Sequence, residues 1–223
     1  MIKLGILEVG KNLPDLVPEH GTFAEWFITL LSQASRDIEF QIIKAYKGEL
    51  PSSVENCQAY LITGSASSVY DDEPWLEGLG RFVMDAARSV PIVGICFGHQ
   101  LIAHLGGAEV GNLREDGSKD LGSRETRVEG WTLLPGCHDL KVIASHREEV
   151  KTVPDDYRVV ARRPGVPIDG LEHRRLPITT FQFHPEARDE FANRQGLTAS
   201  TVDARLIRDS DLVLEAFRRR VTR

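Results

Sequence analysis

Cysteine is scarce in this chain: 223 residues hold only three, Cys57, Cys96 and Cys137, with neither a Cys-x-x-Cys nor a His-x-x-x-His spacing among them. A disulfide framework and a zinc site are thereby excluded as organising devices. Long hydrophobic runs are missing too, and no stretch approaches the ~18 apolar residues of a membrane-spanning helix. Nor is positive charge in excess, since 27 Lys and Arg stand against 33 Asp and Glu, a formal net charge of −6. That balance opposes a nucleic-acid-binding face, so Arg218-Arg219-Arg220 and His173-Arg174-Arg175 read as solvated surfaces. No Gly-x-x-x-x-Gly-Lys-Ser/Thr or Gly-x-Gly-x-x-Gly loop occurs. No nucleotide cofactor and no metal is therefore expected. The run Met1 to Val9 reads as a strand that meets an acid early rather than as a secretory leader, which makes the cytoplasm the expected compartment.

What remains is ordinary globular composition, 41% hydrophobic and 27% charged. This suits one α/β domain over residues 1–223, with a C-terminal helical segment at about 187–223. Strand-like runs at 2–8, 38–45 and 58–63 and a run ending at Ile95 alternate with helical patterns at 22–34 and after Pro74. The expected fold is an open, mostly parallel sheet with helices on both faces, flavodoxin-like, whose functional loops lie at the strands' C-terminal ends. Shorter β-like pieces near 124–130, 140–145, 157–161 and 177–183 suggest an antiparallel extension, and 202–217 has helical spacing. Cys57 and Cys137 read as small buried hydrophobes. Asp71-Asp72-Glu73 before Pro74 reads as a solvated helix start.

One segment carries chemistry. In Gly94-Ile95-Cys96-Phe97-Gly98-His99-Gln100 an apolar strand turns abruptly into a helix, with a cysteine between two glycines. This has the logic of a nucleophile elbow: the glycines allow close backbone approach, and the thiol stands at a helix N-terminus whose dipole favours thiolate. The free N–H groups of such a terminus can also hold developing negative charge. A thiol nucleophile needs a base and the base an orienter. Phe181-Gln182-Phe183-His184-Pro185-Glu186 offers both, a histidine at a strand end and a carboxylate two residues on. His99 reads as structural.

Together these segments resemble the class I glutamine amidotransferases, in particular the glutaminase portion of GMP synthetases and their stand-alone relatives, over most of residues 1–186. The resemblance implies that Cys96 attacks the side-chain amide of glutamine to give a thioester, and that His184 moves the proton while Glu186 orients it. It further implies an oxyanion hole from the backbone of Phe97 and of Gly64 and Ser65, and substrate contacts from Gln100, Ser145 and His146. Ser65-Ala66 and Arg147-Glu148 depart from the common family pattern. With no synthetase portion in these residues, the ammonia would pass to a separate synthetase subunit, or glutamine would simply be hydrolysed. Two other readings stay open: a γ-glutamyl peptidase acting on other γ-glutamyl amides with the same triad, and a non-catalytic amidotransferase-like partner.

Overall fold

The computed structural model describes residues 2–10, 21–34, 37–198 and 201–221. Met1 of the first expected strand, and residues 199–200 and 222–223 of the expected C-terminal segment, lie outside the described residues. Five strands, β1 (Ile2–Leu7), β2 (Ile38–Ile43), β3 (Ala59–Ile62), β4 (Ile92–Ile95) and β11 (Ile178–Phe181), pair in parallel in the order β2-β1-β3-β4-β11. This is the doubly wound flavodoxin-like order, and β3, β4 and β11 are buried along their whole length, as strands covered on both faces must be.

The sheet then turns antiparallel through β10 (Val166–His173), β9 (Tyr157–Arg163), β6 (Asp120–Glu129) and β7 (Cys137–His146). Two short strands, β5 (Val110–Asn112) and β8 (Glu148–Val150), pair separately. The antiparallel extension thus differs from expectation at two places: the run at 177–183 is β11, which pairs in parallel with β4 and belongs to the core sheet, and β10 takes its place in the extension although it does not stand out in the sequence pattern. Its Gly170, Pro167 and charged residues mask the alternation, although the Pro164-Gly165 pair, with Gly165 at φ +80°, marks the β9–β10 hairpin turn.

Helices α1 (Phe23–Ala34) and α5 (Ala204–Val221) cover one face, where Phe27, Leu31, Val213 and Phe217 share a core with Val93 and Phe181. Helices α2 (Pro74–Ala86) and α3 (Phe97–Leu105) cover the other, where Leu79, Phe82 and Leu101 pack on Tyr60 and Ile92. A capping box starts α1: Glu25 N–H donates to Thr22 Oγ1, and Thr22 N–H donates to the Glu25 carboxylate. Pro74 opens α2 at a position where a missing N–H costs nothing, and Asp203 Oδ1 caps α5 by accepting from Leu206 N–H. A short helix α4 (Asp189–Arg194) follows the base segment.

Cys57 is buried, whereas Cys137 is exposed, contrary to expectation. It opens β7 directly after Gly136 and pairs with Glu129, the last residue of β6, so the sheet corner leaves it in solvent.

Candidate active site

The C-terminal ends of three adjacent parallel strands, β3, β4 and β11, converge on one cavity of about 260 Å3. Cys96 ends β4 and Gly64 follows β3, while His184 follows β11. Cys96 has φ 53° and ψ −101°, the only non-glycine residue with positive φ among the described residues. A side chain held there costs of order 1–3 kcal/mol, so the surroundings must impose it. They do so through close packing: a Cβ on Gly94 would lie 2.6 Å from Gly98 O, and one on Gly98 would lie 2.7 Å from Ile62 O. The strand, the elbow and α3 therefore touch backbone to backbone, and Cys96 N–H is tied to Phe181 O at 2.8 Å. No side chain caps α3, which leaves its first N–H groups, Phe97's among them, without a capping partner.

His184 is pinned by its backbone, whose N–H donates to Ile143 O of β7 at 2.9 Å, and by the Phe191 ring at 4.8 Å. Its Nδ1 lies 2.7 Å from Glu186 Oε1, while Nε2 has no hydrogen-bond partner. Glu186 cannot donate as a carboxylate, so Nδ1 carries the proton of that bond. Burial works against a charged imidazole here, but the negative charges of Glu186 and Cys96 outweigh it and hold His184 up to about 10. Gly64 gives the ring room: a Cβ there would stand 3.0 Å from His184 Cε1 and 3.5 Å from Cys96 Cβ. Cys96, His184 and Glu186 are thus brought together as expected, with Gly64 against them.

The remaining expected residues line the same cavity, though not all as foreseen. Ser65 turns its hydroxyl to Val9 O at 3.2 Å and accepts from Ser67 N–H, which fixes the turn after β3. Ser145 places its carbonyl oxygen 3.9 Å from Cys96 Sγ, and its hydroxyl donates to Gln195 Oε1. Gln100 spends its amide N–H groups within the protein, on Glu148 O at 2.7 Å and Gln182 Oε1 at 3.1 Å. It ties α3 to β8 and to the base segment. His146 is held as a neutral ring, with Nδ1–H donating to Glu148 O while Nε2 accepts from Arg163. Burial, helped by the Arg163 charge, lowers it to about 4.

Lys119 and Gln195 do not emerge from the sequence, and Gln182, though it stands in the base segment, has no role assigned to it there. Gln182 lies two residues before His184, and that period-two spacing is the available signal. Lys119 and Gln195 have none, being joined only by the fold, where Lys119 Nζ donates to Gln195 Oε1 at 2.7 Å. His99 is structural, as expected: Nε2–H donates to Ile168 O, Nδ1 accepts from Thr180 Oγ1 at 2.7 Å, and burial pushes the ring down to about 3.

His99 and His146 make acid stability predictable. Unfolded histidine binds a proton below about 6.5, whereas these two stay neutral in the folded chain until about 3 and 4. Their contribution is fully present above 6.5 and is lost as pH falls, at ~1.4 kcal/mol per pH unit for each. Urea unfolding at about pH 7 and about pH 5 is expected to show this loss, with His99→Gln removing roughly half of it. An unchanged slope in that variant would contradict the assignment.

Residues 21–203 match the family model of class-I glutamine amidotransferase. A glutamine-hydrolysing GMP synthase subunit of Pyrococcus abyssi is 42% identical over 98 residues, 44% of this chain and 52% of that protein. The glutamine-hydrolysing GMP synthase of Neisseria meningitidis is 27% identical over 203 residues, covering 90% of this chain and 36% of the other. The chain spans about half the length of the archaeal GMP synthase relatives it matches. The crystal structure of a glutamine amidotransferase from Thermotoga maritima superposes with a TM-score of 0.77 at 16% identity, over 100% of this chain and 99% of that one, a likeness of fold. With its flavodoxin-like sheet and a family match that runs through the elbow and the base segment, the chain belongs to the class I glutamine amidotransferases.

Proposed function

We propose that the chain hydrolyses the side-chain amide of glutamine to glutamate and ammonia, with Cys96 as nucleophile, His184 as acid and base, and Glu186 as its orienter. The observation that carries this reading is the His184 ring, whose Nδ1 is fixed by Glu186 at 2.7 Å while Nε2 is left without a partner beside Cys96. Attack of Sγ on the amide carbon forms the C–S bond and places negative charge on the carbonyl oxygen. The N–H of Phe97 and one from the Gly64-Ser65 turn would hold that charge, each donor being worth ~2.7–4 kcal/mol of barrier in comparable sites. Proton transfer from His184 Nε2 to the amide nitrogen lets the C–N bond break and ammonia leave. The ring, now neutral, takes a proton from water as the water oxygen attacks the thioester, and C–S cleavage returns the thiolate with glutamate. Ammonia would pass to a separate synthetase partner, a role suggested by the naming of the archaeal relatives as subunits of GMP synthase.

The state of His184 fixes a pH dependence. Because its folded value is raised to about 10, the imidazolium needed for the leaving nitrogen persists through neutral pH and is lost only as pH rises through that value. In the purified chain, kcat/KM for ammonia release from glutamine is expected to stay level between about pH 7 and about pH 9 and to fall beyond. An alkaline limb centred near neutrality, or no ammonia release at any pH, would count against the reading.

A further inference from the structure

His146 lines the cavity that holds Cys96 and His184, yet both of its ring nitrogens are already bonded within the protein. Nδ1–H donates to Glu148 O, the same carbonyl that receives the Gln100 amide, and Nε2 accepts from the guanidinium of Arg163 on β9. The Arg163 side chain is only 1% exposed. Among the described residues the one hydrogen bond of its guanidinium is that to His146, since Nε and Nη1 have no partner. Asp169 Oδ1 stands 3.5 Å from Nε, and Asp120 Oδ2 stands 3.3 Å from Nη2. Stability alone does not call for such a group, because a buried ion pair is often no more stabilising than apolar residues of similar volume.

The arrangement decides the charge of His146. The same Asp120 Oδ2 lies 3.8 Å from His146 Nε2, close enough for a carboxylate to favour an imidazolium. Arg163 takes that carboxylate instead. A proton on Nε2 would set two positively charged donors against each other, because the guanidinium is always protonated and has no acceptor. Around the ring stand also His99 of α3 and His184 after β11, with Lys119, Arg147 and Glu148 on the same cavity wall. Burial, with the Arg163 charge in support, holds the ring down to about 4. An imidazolium at His146 would be a second cation acting on His184, opposing the charge that His184 needs for the leaving nitrogen. It would also draw the ring toward Asp120 and away from the Glu148 carbonyl that anchors Gln100.

We propose that Arg163 is a positioning residue for the hydrolysis: its hydrogen bond to Nε2 fixes His146 as a neutral ring in one tautomer, which keeps a second imidazolium out of the cavity and leaves Gln100 anchored. The proposal rests on the hydrolytic reading given above.

Two readouts test it. In Cys96→Ala protein, where no turnover is needed, long-range 1H–15N NMR is expected to show His146 neutral with its proton on Nδ1 from about pH 6 to about pH 8. With Arg163→Met added, His146 is expected to titrate at or above the ordinary ~6.5. In the protein with Cys96 intact, Arg163→Met is expected to lower the ratio of kcat/KM at about pH 6 to that at about pH 8 roughly tenfold against the parent. Arg163→Lys keeps the charge and should restore the parent ratio, and His146→Gln added to Arg163→Met should abolish the acid loss. If Arg163→Met does not fold, the double variant Arg163→Met/Asp169→Asn, which also removes the acid left unpaired behind it, replaces it. A proton on Nε2 in the parent, a His146 that stays neutral at about pH 6 in the methionine variant, or equal pH ratios in parent, methionine and lysine proteins overturns the proposal. So does an acid loss that survives His146→Gln. A parent protein that releases no ammonia defeats the hydrolytic reading instead, while the tautomer and titration of His146 still decide whether Arg163 holds the ring.

Discussion

Cys96→Ala is expected to lower glutamine turnover by on the order of 10^4-fold or more, with the fold retained. Residual catalysis would have to come from oriented water alone, because the attacking atom is gone while His184 and Glu186 remain bonded to each other. The same position allows a sharper comparison. Its backbone at φ 53° suits glycine and strains any residue with a Cβ. Cys96→Gly is therefore expected to be as inactive as Cys96→Ala, yet ~1 kcal/mol more stable than it in urea unfolding. Undiminished turnover in either variant would remove the mechanism. A glycine variant less stable than the alanine variant would mean that Cys96 is not strained.

Gly98→Ala is expected to cost about 3 kcal/mol of unfolding free energy, an unusually large effect for one methyl group. The added carbon would lie 2.7 Å from Ile62 O and 2.9 Å from Ile62 Cβ, both held by a fully buried strand that cannot shift without disturbing β4. Relief would require α3 to lift from the sheet, carrying the Phe97 N–H and the Gln100 amide with it, so activity should fall along with stability. Gly107→Ala is the control, since nothing lies within 4 Å of its Cβ position, although its φ of +91° adds strain of its own. Similar urea midpoints for Gly98→Ala and wild type would show that the elbow tolerates a gap between helix and strand.

The parts of this molecule that can be read from sequence are those in which neighbouring residues do the work. The elbow is legible because Gly94, Cys96 and Gly98 meet one another: the Gly94 contact is with Gly98 itself. The base segment is legible for the same reason, as His184 and Glu186 bond across two residues. Parallel strands such as β3 and β4 announce themselves by unbroken apolar runs. What escapes reading depends on distant partners. Arg163 is buried only because Asp120 and Asp169 from other strands lie at 3.3 and 3.5 Å, and nothing near Arg163 in sequence signals that burial. Gln100 is expected from the family resemblance to reach substrate with its side chain, yet its N–H groups are taken by Glu148 O and Gln182, residues far from it in sequence. Cys137 fails in the opposite direction, because apolar character does not reveal a sheet corner.

The pairing of β4 with β11 has a consequence for the order in which a chain emerges during synthesis. Ile92 pairs with Ile178 and Ile95 with Phe181, so β4, which leads into Cys96 and already has β3 on one edge, acquires its second neighbour only about 80 residues later in the sequence. Until then β4 has an open edge, the Phe181 carbonyl that anchors the Cys96 N–H is missing, and the histidine has not been made. On the proposed mechanism, a ribosome-bound chain that already displays the thiol would therefore be chemically idle. Such long-range closure is also the slow step expected of parallel sheets. Competence should appear abruptly, with the last strand, rather than grow as the polypeptide lengthens.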